Sequence, residues 1–184
     1  MAKWSPARAN TLEALAREIL HNYPRGRALV AVDGIDGSGS ARFADDLAGA
    51  FHALGSHVVR ASMDDFLRPA SERNAREGVS ARLIYRDGFD YEAFRRELAH
   101  PFRSGEPQVP EQPVPVGAIL LVDGVFLNRP ELAGLWNYSI WLDSAPGLVA
   151  NEAYEAEARP RAAAVAIIDN TDIEHPRRIF ADAC

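Results

Sequence analysis

The chain has 184 residues, 47% of them hydrophobic, with 26 acidic and 20 basic side chains for a net charge of −6. The length suits a single domain, residues 1–184, with a real core, and the acidic balance argues against nonspecific nucleic-acid binding, which needs a basic face. No apolar run approaches a membrane span, the N-terminus lacks a signal-peptide pattern, and the lone Cys184 supports neither a disulfide framework nor a Cys metal site, all of which fits a cytoplasmic protein.

In chain order, the first prediction is a helix within residues 1–26. Asn10 and Glu13 suit its N-terminal cap, Leu12, Leu15 and Ile19 form its buried stripe, and Pro24 and Gly26 end it. "ALVAVD" (28–33) is an apolar run before glycines, which predicts a buried strand. Phe43, Leu47, Phe51 and Leu54 then share one helical face, and Gly55 stops that helix. "HVVRAS" (57–62) reads as the second strand, and "YEAFRRELAH" (91–100) as an amphipathic helix ending at Pro101.

Residues 101–116 hold five of the twelve prolines and read as a connector. Further strands are predicted at 118–123, 138–143 and 164–169, with a modest helix over 146–159. Strands alternating with helices imply a parallel sheet covered on both faces.

The stretch "VAVDGIDGSGSARFADDLAGAF" (30–51) nearly matches the phosphate-loop pattern G-x-x-x-x-G-K-[ST]. Gly34 and Gly39 have the right spacing. Ser40 stands at the lysine position and Ala41 at the hydroxyl position. Glycines let backbone N–H groups converge, and the following helix presents its positive end. An anion such as phosphate or sulfate is therefore expected against the N–H groups of Gly37 to Ala41. Ser40 also has a structural reading, since serine is a good helix N-cap.

Ligands of such sheets bind beyond the carboxyl ends of the strands. Acidic residues collect there: Asp33 and Asp36, Asp64 and Asp65, Asp123, Asp143 and Asp169. Carboxylates at neighbouring strand ends suit Mg²⁺ binding and general-base work, although Asp is also common where strands give way to loops. The five histidines show no metal spacing.

Together, "VAVDGIDGSGSARFADDLA", "RASMDDFLRP", "YRDGFDYEAF", "LLVDGVFLNRPELAGLWNYSIWLD" and "IIDNTD" resemble, in order, the motifs of bacterial uridine kinase-like proteins of the P-loop nucleoside kinase group. The resemblance covers about residues 28–176. It implies an α/β three-layer sandwich around a parallel five-stranded sheet of order 2-3-1-4-5. The implied cofactors are ATP and Mg²⁺, and the implied reaction moves the γ-phosphoryl of ATP to a nucleoside. By the same resemblance Asp64 is the ancestral general base and, with Asp123, a metal ligand. Asp90 lies near the sugar, and Asn170 and Asp172 lie in the adenine pocket. Gly34, Ile35, Asp36, Gly37, Ser38, Gly39, Ser40 and Ala41 form the phosphate loop.

Four departures separate the chain from that pattern: Ser40, Ala41, a short 103–116 where relatives carry an acceptor hairpin, and a short passage after Asp143 where they carry an arginine lid. Losing one preorganised electrostatic donor costs about 10²–10³ in rate, so the two side-chain losses together imply about 10⁴ or more, without strict additivity. Arg42, Arg68 and Arg73 are candidate substitute cations. The expectation is a catalytically weak or inactive descendant that keeps an anion- or nucleotide-binding loop. The alternatives are a working kinase of a nucleoside or other small hydroxyl acceptor, and a non-catalytic scaffold or subunit; a homo-oligomer is compatible with each.

Overall fold

A computed structural model describes residues 6–69, 71, 81–106, 113–144 and 151–180. The strands are β1 (Ala28–Gly34), β2 (Val58–Ser62), β3 (Ile119–Gly124), β4 (Tyr138–Asp143), β5 (Ala166–Asp169) and β6 (Arg177–Ile179). They form one sheet of order β2-β3-β1-β4-β5-β6. The first five are parallel and follow the expected order. β6 is an addition: it runs antiparallel beside β5. Its sequence is too short and too charged to announce a strand.

Apolar runs become strands here because both sheet faces are covered. Every residue of β1 is buried. The pleat sends Val30 and Val32 to one face, with Leu121, Ile140 and Leu142. Leu29 and Ala31 go to the other, with Leu120, Val122 and Trp141. The first face is roofed by α1 (Arg8–Asn22) and α2 (Ser40–Ala53). Leu12, Leu15 and Ile19 of α1 meet Phe43, Leu47 and Phe51 of α2 in that layer. Each such fully buried side chain contributes about 1.5–3 kcal/mol.

α1 starts earlier than its capping residues predict. Its cap is Ala7, which offers no side-chain bond. Tertiary anchors set the start instead: the Arg8 N–H donates to the Glu174 carbonyl at 3.0 Å, and its guanidinium pairs with Asp46 at 2.7 Å.

The second face is covered by α3 (Ala81–Asp87), α4 (Tyr91–Phe94), α5 (His100–Ser104), α6 (Glu152–Ala158) and α7 (Pro160–Ala163). Pro101 does not end the helix that begins at Tyr91. A π-helical turn, Arg95–Ala99, joins α4 to α5, and the His100 N–H reaches back to the Arg95 carbonyl. A proline ring in an α-helix strikes the carbonyl four residues earlier. The wider turn relieves that contact. Of the predicted helix over 146–159, the described part is α6; residues 145–150 lie outside the described residues. No helix among the described residues is long and apolar enough to cross a membrane.

Candidate functional site

The carboxyl ends of β1, β2 and β3 stand level. Val32 pairs with Asp123, Asp33 with Gly124, and Ser62 with Asp123. A cleft of about 590 Å³ opens above them. It is lined by loop residues Gly34, Ile35, Asp36, Gly37, Gly39, Ser40 and Ala41, and by Asp64 and Asp123. The structure thus gathers the predicted loop, base and metal residues at one place.

The loop keeps the backbone its glycines predict. Gly37 and Gly39 sit at φ +80° and +82°, a region open to glycine without steric cost. Gly34 is needed for space, because a Cβ there would lie 2.3 Å from Ser38 Oγ. Gly39, not Ser40, is the N-cap of α2, and no side chain caps that helix. The first N–H groups of a helix have no partner within it, and here the residues at that end, Gly39, Ser40 and Ala41, line the cleft. Ser38 is the exception in the stretch, since its N–H is taken by the Ile35 carbonyl at 2.9 Å.

Asn170, expected in the adenine pocket, has a structural contact in this chain. It is buried, and its amide donates to the Ser38 carbonyl at 3.0 Å, tying the end of β5 to the loop. Asp172 is exposed and caps its own turn, accepting from the Glu174 N–H and pairing with His175. Asp90 is the N-cap of α4, accepting from the Ala93 N–H at 2.9 Å. That bond, with Arg68 beside it, holds the carboxyl below its ordinary range. Asp90 does not line the cleft.

The acidic strand ends, alike in sequence, divide by face. Asp123 points to the α2 side. Asp33 points to the α6 side, is fully buried, and accepts four hydrogen bonds. Gly34 N–H donates to Oδ1 at 2.9 Å, the Asn128 backbone and side-chain N–H groups each donate to Oδ2 at 2.8 Å, and the Tyr154 hydroxyl donates to Oδ2 as well. Burial still dominates and raises the Asp33 carboxyl to about 6. Asp143 and Asp169 are consumed locally. Asp143 accepts from Trp141 Nε1 and pairs with Arg161; Asp169 accepts from Thr171 and pairs with Arg177.

Asp64 sits on the 3₁₀ turn Met63–Phe66 after β2. Partial burial raises its carboxyl, and repulsion from Asp123, Asp36 and Asp65 adds to the rise. A carboxylate moved toward neutrality in a cleft is a chemically sensible base. Its charge environment is less favourable to phosphate. Among the described lining residues the charged groups are Asp36, Asp64 and Asp123, with no arginine or lysine. Arg42 is turned away onto Glu174 at 3.2 Å, Arg68 pairs with Asp90 at 3.7 Å, and Arg73 lies outside the described residues.

Three contributors escape a sequence reading. Tyr154 and Phe126 wall the cleft, their rings 5.0 Å apart in an edge contact. Phe126 holds φ +66°, a costly backbone for a bulky residue. Arg60 of β2 donates to Asp123 Oδ1 at 2.8 Å. The signal available for Arg60 was a charge two residues before Ser62, on the same side of a strand.

The implied Mg²⁺ does not fit the residues present. Ala41 offers no side-chain oxygen. Asp123 gives Oδ1 to Arg60 and Oδ2 to the Ser62 hydroxyl at 3.4 Å. No group of three or more metal-ligating side chains occurs among the described residues.

No protein-family model matches the sequence, and no curated protein matches it. Solved structures do. A candidate fructose transport system kinase from Silicibacter sp. TM1040 is 27% identical with a TM-score of 0.60, over 84% of this chain and 95% of that one. A possible uridine kinase from Bacillus stearothermophilus matches 87% of this chain and 98% of its own, at 19% identity and a TM-score of 0.72. The fold of this chain is therefore the P-loop fold of uridine kinase-like proteins.

Proposed function

We propose that this P-loop kinase-like protein binds a phosphate group or nucleotide on the backbone of its loop and transfers phosphoryl groups weakly or not at all. One observation carries the reading. The loop keeps its anion-binding backbone, with Gly37 and Gly39 at positive φ before an uncapped 14-residue helix, while the cleft it faces has carboxylates and no cation among the described residues.

Backbone N–H groups at a helix start attract phosphate without any side chain. Phosphoryl transfer needs more, because its catalysis is positioning and charge stabilisation. Asp64 could still accept a proton from a hydroxyl acceptor. With Ser40 at the lysine position and Ala41 at the hydroxyl position, the transferred group lacks the grip that would align it.

Calorimetry with ATP, paired with an assay of nucleoside-dependent ADP release, tests this. Weak ATP binding is expected in the wild type and none in Gly37→Val, because a β-branched residue resists φ near +80°. ADP release should stay at the level of the Gly37→Val control. Appreciable wild-type turnover would instead establish a working kinase. Equal ATP affinity in both chains would place binding away from the loop.

A further inference from the structure

We propose that Arg60 takes the place of a divalent cation on Asp123, so that this cleft operates without metal. The guanidinium is held by a complete set of bonds. Nε and Nη2 donate to Asp45 Oδ1 at 3.1 and 2.9 Å. Nη1 donates to the carbonyls of Leu121 at 2.9 Å and Ala61 at 3.1 Å. Nη2 also donates to Asp123 Oδ1 at 2.8 Å. All five N–H bonds of an arginine are thereby used, and the group is fixed rather than free to swing.

The surroundings explain why the arginine is there. Asp123 has a side chain only 6% exposed, and a buried carboxylate needs a partner. Asp45 lies one helical turn beyond Ala41 on α2. The cation therefore bridges α2 and the end of β3, beside the position from which a hydroxyl at residue 41 would address a metal. An immobile positive charge against Asp123 repels an incoming dication and occupies one of its two oxygens. Mg²⁺ also demands near-ideal octahedral oxygen geometry; with Ala41 offering no side-chain oxygen and Asp123 bonded to Arg60, Asp64 is the one predicted ligand left facing the cleft. Any phosphate that reaches the loop is then held by backbone N–H groups alone, with Arg60 and not a metal ion neutralising Asp123.

This assignment extends the anion-loop reading and is tested apart from it, with Mn²⁺ alone and no nucleotide. Free Mn²⁺ is followed by electron paramagnetic resonance in titrations of the wild type, Arg60→Gln, and Arg60→Gln combined with Asp123→Asn. The wild type should leave Mn²⁺ free. Arg60→Gln should bind it at least about tenfold more tightly, and Asp123→Asn should cancel the gain. Mn²⁺ binding by the wild type that Asp123→Asn abolishes would overturn the proposal, as would an Arg60→Gln chain that folds and gains nothing. If Arg60→Gln does not fold, titrations of the wild type and of a separate Asp123→Asn single variant still decide, because Mn²⁺ bound by the first and lost in the second overturns the proposal. A loop that fails to bind ATP would refute the function proposed above and leave the Mn²⁺ result standing.

Discussion

Asp33→Asn is expected to destabilise the protein by about 1–3 kcal/mol near pH 5 and by less near pH 7. The loss comes from reversed polarity at a buried acceptor. Oδ1 accepts from the Gly34 N–H while Oδ2 accepts from Asn128 and Tyr154. An asparagine can serve one of these sides with its oxygen, but its two amide hydrogens then meet donors on the other, whereas the protonated carboxyl places one hydrogen, which the rotatable Tyr154 hydroxyl can accept. The pH dependence follows from burial, which raises the folded carboxyl to about 6. The folded state then binds the proton more tightly than the unfolded chain. Stability from this residue is fully present below its unfolded value and is lost as pH rises through about 6. Between pH 5 and 7 the wild type should therefore lose about 1 kcal/mol that the variant does not lose. The gap between the two chains narrows by that amount. Urea unfolding of both at the two pH values measures it, and a gap that widens with rising pH would show that the carboxylate is ionised and well paired throughout.

That network also shows where sequence reading stops. Four of the five parallel strands were legible because each is an apolar run buried on both faces; β2, half-buried along its length, was legible from Val58 and Val59 at its start. The loop was legible because glycine spacing encodes backbone shape directly. β6 was not, because Arg177–Ile179 is half-buried and is held by ion pairs from distant residues, Asp169 to Arg177 and Glu18 to Arg178. The roles of the acidic residues were not legible either. Asp33 and Asp123 both follow apolar runs before a glycine. Only the register, Val32 opposite Asp123, places the two side chains on opposite faces of the sheet. One becomes a buried structural acceptor and the other a partner of Arg60. Pro101 misled for a local reason, since its usual helix-ending effect is absorbed by the π-helical turn before it.

The Ser40→Lys, Ala41→Thr double variant is expected to bind ATP about tenfold to a hundredfold more tightly than the wild type, without efficient phosphorylation of uridine. Both positions can take the larger side chains: Ser40 is the first residue of α2 and half-exposed, Ala41 is exposed, and both line the cleft. The backbone they extend from already has the phosphate-loop shape at Gly37 and Gly39. Lysine supplies the positive charge that the lining lacks, so most of the gain should come from it. Threonine should add little while Arg60 holds Asp123. Adding Arg60→Gln to the pair should make ATP binding depend on Mg²⁺, because it frees the second metal-side oxygen. Turnover is a separate matter. A grip that holds ground state and transition state equally does not raise kcat. Transfer also requires an acceptor hydroxyl held in line with the γ-phosphate and close to Asp64. Where the resemblance implies an acceptor hairpin within 103–116 and an arginine lid after Asp143, the two substitutions rebuild neither. ATP affinity and nucleoside-dependent ADP release, measured on wild type, double and triple variants, separate grip from chemistry. Family-like turnover in the double variant would mean that the short segments are dispensable and that two side chains were the whole deficit.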